Sequence, residues 1–568
     1  MFVLCGDTRT FVEKKLYEYR LCLIKDKPFK KQCSTLFIMN QGMLFDHLKN
    51  PKFYGPHVTT VQLLQTHISY VALTGTYAYK VKKPVNFGFL DFSTLDKRKY
   101  YCEEELRLNK RLCPEMYLDV LPITKKDNAL ALDGDGTIVE YTLKMKEFPQ
   151  ECIMTNMLQQ GKIREETIDH LIAILIDFYN TQEPTEEIHK YGEVSSVKQN
   201  IDENFDQTRP MIGITVPKEI FWYIKDEVTK FFERKKEVFG RRMKEGKIYD
   251  CHGDLHSGNI VVSDDTIHIF DCIEFNDRFR FCDVASDIGF LAMDLDYLNH
   301  PYLSSYFIKN YVEKSKDFDV YSVLNFYKSY RAFVRGKVQG FQLNDPHIDP
   351  TTKKRLLESA KKYFELSEYY TRLFSLDLQT NKPLLFLVAG LSGTGKSTVA
   401  RKIAIDYHAT LINTDIVRKE TAGIDRFEQH HDQYNTGLYD PKKIDETYEQ
   451  VMQRASLFLK KGENVVLDAT FQKKKYREMA SHIAGKHHVR LVIVQCICPD
   501  GVVKKRLEDR MRKKSVSDGR WEVYQVQKTT YEPFTADEKC LTMDTSDESF
   551  EYRMDFYQQL LAYIREVI

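Results

Sequence analysis

A chain of 568 residues, 42% hydrophobic and 12% aromatic, exceeds what one hydrophobic core holds and is not the composition of a disordered or fibrous protein; two or three globular domains are expected. Lys and Arg total 83 against 82 Asp and Glu, which excludes a broad electrostatic pull on nucleic acid or anionic membrane, so any such binding is local. Twelve cysteines with no C-x-x-C pair and no matching histidine spacing point to reduced thiols. No apolar run reaches the roughly 18 residues that span a bilayer, and no basic stretch leads into an apolar one at the start. A cytoplasmic protein with no membrane partner is therefore expected.

In chain order, residues 1–50 are mixed and carry a basic patch, KDKPFKK, without a readable role. Residues 51–145 read as a small lobe. β-Branched and aromatic residues alternate over 57–85, with a turn at Thr74-Gly75, which predicts an antiparallel sheet. RKYYCEEELRLNKRLCPEMY then puts Tyr101, Leu108 and Leu112 on one helical face, ended by Pro114, and a further antiparallel segment follows over 129–144. Residues 146–378 are predicted to be mainly helical, with long amphipathic stretches at 165–245 and 300–375. Beyond a boundary near Asn381, residues 382–568 alternate helices with apolar strands at 384–389, 409–412, 465–467 and 491–497. Apolar strands of that kind form a parallel sheet covered on both faces. Cys496 and Cys498 alternate along the last of them and read as core thiols. The expected fold class is a multidomain α+β and α/β chain.

Chemistry concentrates in two stretches. The first, YDCHGDLHSGNIVVSDDTIHIFDCIEF, reads as a loop feeding a hairpin with its turn at Ser263-Asp264-Asp265-Thr266. The open end of that hairpin joins Asn259 to Asp271, an amide oxygen and a carboxylate about 5 Å apart across paired strands, which suits Mg²⁺. Asp254 lies on the feeding loop, and phosphoryl transfer to an alcohol needs such a carboxylate to orient and deprotonate the hydroxyl. A rival reading takes His252, Asp254 and His256 as zinc ligands, but they share a face only in a strand, and Gly253 and Gly258 favour a loop.

The second stretch, LLFLVAGLSGTGKSTVARKIA, places Gly390, Leu391, Ser392, Gly393, Thr394, Gly395, Lys396, Ser397 and Thr398 between an apolar strand and a helix. This is a phosphate-cradling loop in its required context, with Lys396 reaching the outer phosphates and Ser397 offering a hydroxyl to Mg²⁺. Asp415 ends the next strand and Asp468 the one after, Asp468 as a carboxylate supporting Mg²⁺ and Asp415 as the proton acceptor. The bland alternative makes Asp415 a helix cap. Arg418, one turn later, suits an anionic acceptor. In KKRLEDRMRKK, Arg506 and Arg510 lie four residues apart on a helix, which is either a solvated face or a lid closing arginines on the transferring phosphate.

HGDLHSGNI with IFDCIEF resembles the aminoglycoside phosphotransferase family, relatives of protein kinases. The resemblance implies Asp254 as catalytic base, Asn259 and Asp271 as Mg²⁺ ligands and His252 as an orienting residue. It also implies a phosphate-binding lysine in YAYK, Lys80, with Lys82 as the alternative and Glu105 as its helix partner. The family's glycine-rich loop is absent and only LTGTY stands in its place. The second stretch resembles the P-loop kinases of the gluconate kinase, zeta toxin and polynucleotide kinase group, in which an Asp-x-x-Arg follows the second strand. THISYVALTG, YKVKKPV, GFLDFSTLDKR and LDATF make the whole chain similar to bacterial fusions of these two domains: a bilobal protein-kinase-like fold followed by a P-loop domain. The implied function is a bifunctional ATP- and Mg²⁺-dependent phosphotransferase. Its acceptors would be a small-molecule hydroxyl in the first domain, and a small molecule or 5′-hydroxyl nucleic acid in the second. The alternative is a regulatory ATP-binding protein with a non-catalytic kinase-like domain and a P-loop switch.

Overall fold

The computed structural model describes residues 42–567 apart from 67, 128, 184, 264–265, 344–347, 380–381, 408, 425–439, 511–518 and 548–553. Most of the N-terminal extension, the tip of the predicted hairpin turn, Asn381 and the part of the basic stretch beyond Arg510 lie outside the described residues.

Alternation over the first segment produces β1 (Gln62–Gln65), β2 (Ser69–Leu73) and β3 (Tyr77–Lys82). Helix α1 (Leu95–Asn109) follows, its first turn capped by the Thr94 hydroxyl, which accepts the Lys97 N–H. The helix stops at Asn109, ahead of Pro114, where the Asn109 side chain donates to the Glu105 carbonyl and accepts the Cys272 N–H, at 2.8 and 2.9 Å. Strands β4 (Tyr117–Lys126), β5 (Ala129–Leu132) and β6 (Thr137–Lys146) complete one antiparallel sheet in the order β1-β2-β3-β6-β4-β5. Ala72, Val81, Ile123 and Leu143 are buried in it.

The helical part holds α2 (Glu165–Asn180), α3 (Val194–Thr208) and α4 (Lys218–Lys244), then β7 (Ile248–Asp250), the hairpin β8 (Ile260–Ser263) and β9 (Thr266–Ile269), and β10 (Phe281–Asp283). Helix α5 (Val284–Tyr297) comes next, buried from Val284 to Asp296 on every face, and is followed by α6 (Pro301–Ser315), α7 (Tyr321–Gln342) and α8 (Pro350–Gln379). A helix buried all round can keep aspartates only if each has partners. On α5 Asp296 takes the Lys328 ammonium of α7 at 2.6 Å, and Asp287 and Asp294 serve the loop described below.

The chain divides into two compact units, the first of Met1–Lys225, Lys235–Leu298 and Asn310–Ser367, the second of Asp226–Arg234, Asn299–Lys309 and Glu368–Ile568. In the second, the apolar runs become β11 (Leu384–Ala389), β12 (Ala409–Asn413), β13 (Asn464–Asp468) and β14 (Arg490–Ile497), all parallel. Between them run α9 (Lys396–Asp406), α10 (Thr414–Thr421), α11 (Pro441–Lys460) and α12 (Lys474–His487); α13 (Asp500–Arg510) and α14 (Trp521–Thr529) come after β14. A fifth strand, β15 (Leu541–Asp544), was not expected; it is an edge strand with only Met543 buried, too short and too polar for a periodic signal. The order β12-β13-β11-β14-β15 brings the carboxyl ends of β11, β12 and β13 to one edge, where open parallel sheets collect ligands. The expected fold class, an α+β part with an antiparallel sheet followed by a parallel-sheet α/β part, is the observed one.

Candidate active sites

In the first unit the hairpin pairs Ile260 with Ile269, and the Phe270 N–H donates to the Asn259 carbonyl at 2.9 Å, so Asn259 and Asp271 stand together at the open end. Asp271 adopts φ 61°, a left-handed conformation that aspartate tolerates at some cost, and its N–H donates to the Tyr117 hydroxyl at 3.2 Å. Asn259 Nδ2 donates to the carbonyl and to Oδ2 of Asp254, both at 3.0 Å, which leaves the amide oxygen as the atom of Asn259 suited to a cation.

Lys80 joins this group from β3. Its Nζ lies 2.7 Å from Glu105 Oε1 on α1 and 2.7 Å from Asp271 Oδ1. Lys82, two residues on and on the same strand face, binds Glu105 Oε2 at 2.6 Å and also Glu274, and sits over the Phe92 ring. It is buried and closed in, so of the two lysines Lys80 is the one that faces Asp271. Burial would push the Glu105 carboxyl up, but the two ammoniums overcome it and hold the group at about 2. Glu274, buried against Lys82, is pushed up.

Asp254 is a third exposed and lies 3.3 Å from His256 Nε2. Burial disfavours its charge, yet His256, Arg335 and His252 together hold its carboxyl well below the ordinary range. The loop that presents it is held from beneath. His252 and Gly253 donate their N–H groups to Asp287 at 3.0 and 2.9 Å, and Ser257 donates its N–H and Oγ to Asp294 at 2.9 and 2.5 Å. Arg331 Nη1 donates to the Gly253 carbonyl at 2.9 Å. Gly253 is required: its φ is 82°, and a Cβ there would lie 2.9 Å from the Phe279 carbonyl oxygen. His252 Nε2 meets the Phe270 carbonyl at 2.9 Å, while Nδ1 accepts the Asp254 N–H at 3.3 Å. Both ring nitrogens are thus spent, Nε2 on tying the loop to the hairpin and Nδ1 within the loop itself, and the zinc-cluster reading fails at His252.

In the second unit β11 ends at Ala389 and α9 begins at Lys396, so the N–H groups of its first turn open onto the glycine loop. A Cβ on Gly390 would lie 2.5 Å from Thr394 Oγ1 and 2.7 Å from the Cys496 carbonyl oxygen, so nothing larger fits. Leu391 packs with Val503, Leu507 and Tyr524. Ser392 N–H donates to Gln527 Oε1 at 2.9 Å, Thr394 Oγ1 to the Leu391 carbonyl at 2.9 Å, and Thr398 N–H to the Gly395 carbonyl at 3.1 Å. Beside the loop lies a cleft of about 100 Å³ to which Lys396, Ser397, Asp415, Arg418 and Asp468 all contribute.

Asp415 is not the helix cap. Asn413 Oδ1 accepts the N–H groups of Asp415 and Ile416 at 2.9 and 3.1 Å, which leaves the Asp415 carboxylate to the cleft, where Arg418 Nη1 holds it at 2.8 Å. Asp468 is buried; its Oδ2 accepts from Asn413 Nδ2 at 2.6 Å, whereas its Oδ1 has no hydrogen-bond partner among the described residues. Leaving such an oxygen unmatched costs about 1–3 kcal/mol, and a cation would satisfy it. Arg510, half-buried in the last turn of α13, feels the charges of Asp415 and Asp468. Arg506 does not share that placement, contrary to the sequence reading: its Nη atoms bond Thr545 Oγ1 at 3.2 Å and the Thr545 carbonyl at 2.5 Å, just beyond the unexpected β15.

Two comparisons with known proteins bear on this geometry. A family model described as an AAA domain matches residues 385–534, the span that holds the P-loop, Asp415, Asp468 and Arg510. An uncharacterized protein of Mycobacterium tuberculosis is 30% identical over 452 residues, 79% of this chain and 86% of the relative. The chain belongs to the family of that protein. Solved structures give weaker likenesses. An ethanolamine kinase of Plasmodium vivax is 10% identical, covering 64% of this chain and 95% of its own with a TM-score of 0.36; a gluconokinase of Sinorhizobium meliloti is 19% identical over 33% and 93%, with a TM-score of 0.24.

Several site residues of this family member escaped the sequence reading. Glu274 follows Asp271 by three positions, and its pairing with Lys82 could have been suspected from the IFDCIEF run. Tyr117, Asp287, Asp294, Arg331 and Arg335 lie far from the motif in sequence and carry no local signature.

Proposed function

We propose that the chain is a bifunctional phosphotransferase, each unit moving the γ-phosphoryl group of ATP to a hydroxyl. The observation that carries this reading is the ion pairing of Lys80 with both Glu105 and Asp271, next to an Asp254 bonded to Asn259. A phosphate-binding cation, two oxygen donors and a base thus converge from β3, α1 and the hairpin, and none of these contacts is needed merely to fill a core.

In the first unit Asn259 and Asp271 would hold Mg²⁺, whose charge offsets that of the phosphates, with Lys80 turning from Asp271 toward a phosphate oxygen. Asp254 is ionised at any physiological pH, so its work is to orient the acceptor hydroxyl and take its proton as the new oxygen–phosphorus bond forms and the bond to ADP breaks. His252 and Asp287 fix the loop so that this geometry is set before the acceptor arrives. In the second unit Lys396 and the loop N–H groups cradle the phosphates and Ser397 and Asp468 suit Mg²⁺. There Asp415 takes the acceptor proton, with Arg418 and Arg510 supplying positive charge near the transferring group.

The test is transfer from γ-labelled ATP by the full chain, offered a metabolite extract and, separately, a 5′-hydroxyl oligonucleotide. Label in two small-molecule products supports the reading in full; label on the oligonucleotide assigns the second unit to nucleic acid. Phosphate release with no labelled acceptor favours the regulatory switch instead.

A further inference from the structure

The carboxylates around Asp254 are already committed. Asp287 accepts from the His252 and Gly253 N–H groups and from the Tyr179 hydroxyl at 2.9 Å, and Asp294 accepts twice from Ser257. Both carboxylates are thus engaged in holding the loop. The positive side of the same site is less committed. Arg331 is bound to Ser286 and the Gly253 carbonyl at 3.1 and 2.9 Å and acts as a strut for the loop. Arg335, one turn later on α7, does not bind the loop: its guanidinium is hydrogen-bonded to the Tyr363 side chain and lies over that ring at 5.7 Å, while its buried Nε has no hydrogen-bond partner among the described residues. Its charge reaches both Asp254 and Asp294, yet it makes no hydrogen bond with either.

A buried guanidinium N–H left unmatched one turn along α7 from the arginine that binds the Gly253 carbonyl is a donor waiting for an acceptor atom. Guanidinium groups match carboxylates and phosphates in planar, paired geometry. We propose that Arg335 binds an anionic group of the acceptor, so that the substrate of the first unit is a hydroxy acid or a phosphorylated alcohol rather than an amino alcohol or a polycationic sugar. This rests on the phosphotransferase reading of that unit. Tyr363, which the guanidinium overlies, is itself stacked on Tyr297 at 3.7 Å and 6°, so the arginine rests on a stacked aromatic pair.

The experiment uses the full chain with Lys396→Ala, which silences the P-loop unit, and a metabolite extract split on an anion-exchange resin into retained and unretained pools. Both pools are incubated with γ-labelled ATP. The expected result is label in the retained pool, a rise of at least tenfold in the KM for that acceptor in Arg335→Gln with a smaller change in kcat, and partial recovery in Arg335→Lys. Label confined to the unretained pool, or a retained acceptor whose KM is the same in Arg335→Gln, overturns the proposal while leaving phosphotransfer standing. No label in either pool removes the phosphotransferase reading of this unit and the proposal with it.

Discussion

Replacing Glu105 by Gln tests whether the two lysines of β3 depend on one buried carboxylate. Glu105 is fully buried and its oxygens lie 2.7 and 2.6 Å from Lys80 and Lys82. Its carboxyl falls from an ordinary value of about 4.3 to about 2 in the folded chain. Two units or slightly more, at about 1.4 kcal/mol per unit, give about 3 kcal/mol of stabilisation at neutral pH, in line with the roughly 3–5 kcal/mol lost when one partner of a buried pair is removed. Because the folded value is depressed, that stabilisation is complete above the unfolded value and is lost as pH falls through the folded one. Trp222 lies in the first unit and Trp521 in the second, so urea unfolding of a Trp521→Phe chain can be followed through Trp222 alone. With a slope of about 3 kcal/mol per molar, Glu105→Gln should lower the first-unit midpoint by about 1 M at pH 7 and by the same amount at pH 5. The gap should close toward pH 2, where protonated Glu105 and Gln are equivalent. A difference under about 0.5 kcal/mol at pH 7, or one that persists undiminished at the lowest pH, would refute the reasoning.

Three further outcomes follow from the geometry. Asp468→Asn should raise the stability of the nucleotide-free chain by about 1 kcal/mol, since a buried negative charge gives way to a neutral amide, and weaken Mg²⁺-dependent ATP binding in the second unit at least tenfold; denaturation and nucleotide titration read the two effects. Gly390→Ala should abolish ATP binding at the P-loop, because the new Cβ would meet the Cys496 carbonyl at 2.7 Å, and filter binding of a labelled non-hydrolysable analogue measures it as a fall from two equivalents per chain to one. Asp287→Ala leaves the His252 and Gly253 N–H groups without their acceptor and should cost about 2–4 kcal/mol, with first-unit transfer reduced at least a hundredfold and second-unit transfer unchanged.

Much of both candidate sites was legible because the chemistry is local in sequence. Asn259 and Asp271 are brought together by a two-strand hairpin, and Gly390 to Thr398 by a single turn between strand and helix. Lys80 and its helix partner Glu105 were named through the resemblance to the kinase-like family, and the strand face that Lys80 shares with Lys82 left the choice between the two lysines open. What was not legible depends on tertiary packing. The aspartates that anchor the Asp254 loop sit on α5, in a run so apolar that it reads only as core. Asn413 took the capping role that Asp415 was a candidate for because the two lie two residues apart and are equally suited by type. Arg506 and Arg510 look equivalent on a helical wheel and were separated only by β15, an edge strand with one buried side chain.

The most direct test of two independent centres is labelled phosphate transfer by four full-length chains: wild type, Asp254→Asn, Asp415→Asn and the double variant, each with ATP binding confirmed. Each single substitution is expected to remove one labelled product by a factor of at least about 1,000 while sparing the other, and the double variant to make neither. Retention of both products by the double variant would contradict the account.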